Sequence, residues 1–222
     1  MDRFLNTSKT QRQQLFIQGA AGQIEVTVDI PGTASVKGIA MISHPQPLLG
    51  GSPQHIVPHT IAKNVCAAGW VAVRPSFRGV GASEGSYYEG AGEAQDTLLV
   101  IAHMRALFPG VPLALIGFSF GAYVYAQVAC QLEEKAPADT IILMGMPVGH
   151  TGGGRVYDVV PIPERAVFIH GESDSTTPLS NILDWARAHR HHPVTVFPGA
   201  DHFFKGCLNE VVRKLLVLLE AA

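Results

Sequence analysis

Residues 113–126, LALIGFSFGAYVYA, constrain the fold more than any other stretch of the chain. An apolar run leads into Gly117-Phe118-Ser119-Phe120-Gly121, and small and apolar residues at helical spacing follow. This reads as strand, sharp turn and helix. A serine at the centre of such a turn is held in a strained backbone conformation, so its flanks must be nearly free of side chain. Gly117 and Gly121 satisfy this. The hydroxyl then projects from the carboxyl end of a strand, beside a helix N-terminus whose unpaired N–H groups favour developing negative charge. Ser119 is therefore a candidate nucleophile; a glycine-rich turn with an incidental serine is the alternative.

The rest of the chain supplies a frame for that turn. Residues 16–18 and 24–30 read as two short strands joined at Gly19 to Gly22. Short apolar runs at 38–43, 70–74, 140–146, 166–170 and 194–197 read as further strands, the first of them of a fully buried kind. Helical segments are expected from Ser52 to about Ala68, over 89–107 and over 179–189. A closing amphipathic helix over 203–219 would carry Phe204, Leu208, Val211, Leu215 and Leu219 on one face. Residues 44–51 are too rich in Pro and Gly for regular structure. Strands alternating with helices imply an α/β fold, a mostly parallel sheet covered by helices on both faces. In such sheets ligands bind at the carboxyl ends of the strands.

That rule directs the search for partners of Ser119. A serine nucleophile needs a histidine to take its proton and a carboxylate to orient the imidazole. Beyond the strand ending at His170 runs Gly171-Glu172-Ser173-Asp174, where Asp174, further into the loop, is favoured over Glu172. Beyond the last strand, Asp201-His202-Phe203 places His202 in a loop before the closing helix. The candidates Ser119, Asp174 and His202 thus fall at three different strand ends.

Composition bounds the partners. The 222 residues suit one domain, 1–222, with residues 1–14 expected to be loosely ordered. A content of 47% hydrophobic and 15% charged residues fits a sheet buried on both faces. A net charge of −2, with the 16 Lys and Arg in no run, argues against a nucleic-acid partner. No segment has the length to span a membrane and the N-terminus is too polar for a signal peptide, so a cytoplasmic protein is expected. Cys66, Cys130 and Cys207 read as buried small hydrophobes without a disulfide framework.

Taken together, HPQPLLGG at 44–51, FRGVGASEG at 77–85, GFSFGA at 117–122, HGESDSTTP at 170–178 and GADHFF at 199–204 resemble the α/β-hydrolase superfamily. Within it the chain is similar to the small bacterial serine hydrolases of the dienelactone-hydrolase-like group. The resemblance implies the α/β-hydrolase fold, a Ser119, Asp174, His202 triad, no cofactor, and hydrolysis of an ester or similar acyl bond. Dienelactone hydrolases proper carry cysteine at the elbow, where this chain has serine. A thioesterase or amidase would use the same residues, and a non-catalytic binding protein on this fold is a further alternative. Nothing in the chain indicates its oligomeric state.

An oxyanion hole needs two N–H donors. One is expected from Phe120, the residue after the nucleophile. The other is expected from the 44–51 loop, where Pro45 and Pro47 have no N–H; this leaves Gln46, with Leu48 as the second choice. His44 is expected to shape that loop through a side-chain hydrogen bond. Leu48, Tyr87 and Tyr88 are candidates for contacting substrate. His55 and His59 lack the glutamate of a zinc motif, and His189, His191 and His192 read as a solvated corner, so no metal site is expected. Arg78 is expected to pair with Glu93 or Asp96, and Phe203 and Phe204 to be core anchors. Many relatives insert a cap after the strand at 140–146, but here only residues 147–165 are available. That segment reads as an irregular glycine-rich flap, with Val148, Val156 and Tyr157 as possible apolar wall. An uncapped site favours short-chain esters.

Overall fold

The computed structural model describes residues 9–33, 35–158, 161–189 and 192–220. Among these described residues, ten strands and five α-helices follow in the order β1 (Gln11–Gly19), β2 (Gly22–Ile30), β3 (Ile39–Ile42), α1 (Ile56–Ala67), β4 (Val71–Pro75), α2 (Ala91–Leu107), β5 (Leu113–Phe118), α3 (Phe120–Leu132) and β6 (Thr140–Met144). They continue as β7 (Gly149–His150), β8 (Val156–Tyr157), β9 (Val167–Gly171), α4 (Leu179–Ala188), β10 (Val194–Phe197) and α5 (Leu208–Glu220).

Eight strands form one sheet in the order β1-β2-β4-β3-β5-β6-β9-β10, with β7 and β8 paired separately. The β1–β2 and β2–β4 pairings are antiparallel and the remainder parallel. Side chains on a strand alternate between faces. Ile39, Met41, Leu115 and Leu143 accordingly face one core with residues of α2, α3 and α4, such as Met104, Val128 and Ile182. Ala40, Ile42, Ile116 and Ile142 face the other with Ile61 and Val65 of α1 and Val211 and Leu215 of α5. Both faces are covered, which is why the central strands read as continuous apolar runs.

The chain passes from β3 outward to β4, then returns across β3 to β5. The loops after β3 and β5 therefore diverge, and a crevice opens between them at the switch point of the sheet.

Several boundaries differ from expectation, each for a local reason. Residues 11–14, expected to be loosely ordered, belong to β1, whose register against β2 is complete from Gln11; residues 1–8 lie outside the described set. Helix α1 is capped by His55, whose Nδ1 accepts the Val57 N–H at 3.4 Å, rather than by Ser52. Gln46 caps a 3-10 turn at Pro47–Leu49 inside the loop expected to be irregular. Helix α5 starts at Leu208, because Asp201 Oδ1 accepts the N–H groups of Phe203 and Lys205 and Phe204 adopts φ 55°. The turn so formed still buries Phe204 completely. The segment expected to be an irregular flap contains the β7–β8 hairpin. Cys130 and Cys207 are half-buried, and only Cys66 is fully buried.

Candidate active site

Ser119 sits between β5 and α3 with φ 56° and ψ −128°, a left-handed-side conformation that a non-glycine residue holds only at a cost of about 1–3 kcal/mol. The turn is locked from outside. The Ser119 N–H donates to the Met144 carbonyl at 2.8 Å, and the Phe118 N–H to Ser43 Oγ at 3.1 Å. The flanking glycines are required by contact: a Cβ on Gly117 would lie 2.5 Å from Ala122 Cα, and one on Gly121 would overlap Ser43 Oγ and the His44 carbonyl.

His202, 83 residues away along the chain, places Nε2 2.8 Å from Ser119 Oγ. Its Nδ1 lies 2.7 Å from Asp174 Oδ2, so Nδ1 carries the proton and Nε2 presents a lone pair to the serine hydroxyl. Asp174 is held in turn: Oδ1 accepts the N–H groups of Thr176 and Thr177 at 2.9 and 2.8 Å, and Thr177 Oγ1 lies 2.9 Å from Oδ2. Burial by itself would raise the Asp174 pKa, but the hydrogen bonds from His202 and Thr177 outweigh it and hold the carboxyl below the usual aspartate range. Glu172, the competing carboxylate, instead accepts the Gly199 N–H. Gly145, φ 52°, lies beside the imidazole, where a Cβ would be 3.2 Å from His202 Cε1.

A lidless α/β serine hydrolase of Xanthomonas campestris superposes with a TM-score of 0.83 at 30% identity, covering 98% of this chain and 96% of its own. The chain belongs to the lidless α/β serine hydrolases. An α/β serine hydrolase homologue from Coxiella burnetii matches at 30% identity and TM-score 0.77, over 92% of this chain and 96% of that one. An uncharacterized protein of Rickettsia prowazekii is 27% identical over 199 residues, 86% of this chain and 82% of its own. No protein-family model matches.

In this hydrolase the loop after β3 faces the elbow. His44 is fully buried; its Nδ1–H donates to the Pro45 carbonyl at 2.8 Å and its Nε2 accepts the Phe77 N–H at 3.0 Å. Burial depresses its pKa to about 3, so the ring is neutral. The bond to the Pro45 carbonyl orients the peptide that also carries the Gln46 N–H. The Gln46 side chain turns the other way: Nε2 donates to Tyr87 Oη at 3.4 Å and Tyr157 Oη at 3.3 Å. The Leu48 N–H is engaged by Gln46 Oε1, which removes Leu48 from contention as a donor.

A pocket of about 90 Å³ opens over the serine, with Gln46, Leu49, His55, Tyr157, His202 and Phe203 in its wall. Leu48, 66% exposed, is not in that wall, and Leu49 takes the place expected for it. Val148 is buried in the core and Val156 is exposed, and neither lines the pocket. Tyr87 reaches the site only through Gln46, while its ring packs 5.4 Å from that of Phe120. Phe203, expected to anchor the core, is 42% exposed at the pocket edge.

His55 and His59 diverge, His55 toward the pocket and His59 Nδ1 to within 3.3 Å of Arg74 Nη1. Arg78 pairs with Asp96 at 2.7 Å, while Glu93 accepts the N–H groups of Tyr88 and Gly90. His189 stacks on Trp185 with ring centroids 4.4 Å apart yet stays exposed, and half-buried His192 lies 5.0 Å from the same ring, so the corner is solvated as expected with Trp185 packed beneath it; His191 lies outside the described residues. Among the described residues no helix is long and apolar enough to cross a membrane. Besides Leu49 and Phe203, pocket residues that escaped the sequence reading include His55, set aside as half of an incomplete zinc motif, and Arg155, an isolated arginine in a glycine-rich stretch.

Proposed function

We propose that the protein hydrolyses short-chain carboxylic esters through an acyl-enzyme on Ser119. The observation that carries this reading is the continuous relay of Ser119 Oγ, His202 and Asp174, at 2.8 and 2.7 Å. As the hydroxyl attacks the ester carbonyl, His202 Nε2 takes its proton, and Asp174 stabilises the imidazolium. The oxyanion is held by the N–H of Phe120, which as the first residue of α3 has no partner within the helix, and by that of Gln46. The imidazolium returns its proton to the leaving alkoxide and the alcohol departs. Water, deprotonated by His202, then attacks the acyl carbonyl, and Ser119 recovers its proton as the acid is released. The small pocket and the absence of a cap favour short acyl groups.

A fluorophosphonate probe should label the wild-type protein and fail on Ser119→Ala. The same substitution should lower kcat on p-nitrophenyl acetate by about 10⁴- to 10⁶-fold. Retention of most activity would reassign the nucleophile. Thioester and amide substrates of equal acyl length, assayed in parallel, should be turned over less well than the ester.

A further inference from the structure

The ester chemistry leaves one charged residue of the pocket unused. Arg155, just before β8, lines the cavity with Ser119, His202 and Thr176. Its guanidinium makes one intramolecular bond, from Nη2 to the Gly152 carbonyl at 3.3 Å, and pairs with no carboxylate among the described residues. The other described arginines are committed: Arg12, Arg74, Arg78, Arg165, Arg187 and Arg213 each hold a carboxylate, and Arg105 donates to the carbonyls of Ala136 and Pro137. Among the described residues no aspartate or glutamate lines the pocket. His55, also in its wall, is held below the usual histidine range by burial and by the neighbouring His202.

The pocket therefore presents a half-buried guanidinium with most of its donors unused, in a protein whose net charge is −2. A guanidinium offers five N–H donors in a planar fork that matches a carboxylate. We propose that the substrate is an ester bearing a carboxylate, and that Arg155 binds this group while Ser119 attacks the ester carbonyl. The inference rests on the esterase reading and narrows its substrate class. Arg155 and Ser119 line the same pocket, so esters with a few carbons between the two groups are the ones to try. Arg155 is then a specificity-determining residue carried by the hairpin that stands where other hydrolases have a cap.

The test compares monomethyl glutarate, with the carboxylate on the acyl side, and 3-acetoxypropanoate, with it on the alcohol side, against neutral methyl pentanoate. Acid release is followed by pH-stat at low ionic strength. In the wild type, kcat/KM for at least one anionic ester should exceed that of the neutral ester. In Arg155→Gln that ratio should fall about 10- to 100-fold, with Arg155→Lys recovering part of it. The anionic ester that loses its advantage identifies the arm that carries the charge. Ratios in Arg155→Gln within about threefold of wild type for both anionic esters would overturn the proposal.

A second measurement is independent of turnover. Calorimetric titration of Ser119→Ala with monomethyl glutarate and with 3-acetoxypropanoate should show at least tenfold weaker binding of one of them when Arg155→Gln is added. If that difference appears but no ester is cleaved, the esterase reading fails and the carboxylate site stands. If esters are cleaved with no dependence on Arg155 in rate or binding, the carboxylate site fails and the esterase reading stands.

Discussion

His44 shows how much of the site is set by single hydrogen bonds. Both ring nitrogens are used, one donating to Pro45 and one accepting from Phe77, which the neutral ring alone can do. Protonation would place a second N–H against the Phe77 N–H. The folded-state pKa is depressed to about 3, so between that value and the roughly 6.5 of an unfolded histidine the unfolded chain binds more protons than the folded one. Stability is then full above about pH 6.5 and declines toward acid by about 1.4 kcal/mol per pH unit from this residue. Asp174 acts in the same direction, because a carboxyl with a lowered folded pKa loses its contribution as the pH falls through that value. Urea unfolding between pH 7 and pH 4 should show this decline, and His44→Asn should start from a lower stability at pH 7 and lose it less steeply.

At the scale of elements, the β7–β8 hairpin is joined to the loop after β3 through the Gln46 side chain. Tyr157 of β8 and Tyr87 both receive hydrogen bonds from the Gln46 amide, and the Tyr157 ring packs edge-on against Tyr123 of α3, 5.0 Å away. Tyr157→Phe should therefore loosen the Gln46 donor and lower kcat by about 2- to 10-fold, with a larger loss when Tyr87→Phe is added, as read by steady-state kinetics on one short ester. This hairpin was not legible in the chain, since its strands are two residues long and lie among four glycines. The start of α5 was hidden for another reason. Phe204 lies on the helical face by spacing, yet reaches the core from a turn that Asp201 ties down.

Across the whole molecule, the antiparallel edge is secured by a buried ion pair. Arg74 of β4 is completely buried, and its Nη2 lies 2.9 Å from Asp29 Oδ2 of β2, which also takes the Arg12 guanidinium of β1 at 2.6 Å. Removing one partner leaves a buried charge unmatched. Asp29→Ala should cost about 3–5 kcal/mol in urea unfolding, more than the loss of an exposed pair such as Arg213–Glu210. The uncapped sheet end has its own consequence: p-nitrophenyl esters should lose kcat/KM as the acyl chain lengthens beyond about four carbons, and a steady gain toward long chains would count against the short-ester reading.

Alternation of apolar residues along the strands and the spacing of glycines around Ser119 are local properties, and they were enough to specify the α/β sheet, its helical covering and the elbow. The order of Ser119, Asp174 and His202 beyond three strand ends was equally readable, because strand direction in a parallel sheet brings all those ends to one rim. Which pocket residues face the serine was decided only by tertiary packing. Leu49 rather than Leu48, His55, Phe203 and Arg155 enter the pocket through turns whose shape depends on hydrogen bonds to Gln46, Asp201 and Thr176 from remote or irregular segments. Side-chain direction in such turns has no period to read, so it exists only once the sheet has brought the loops together.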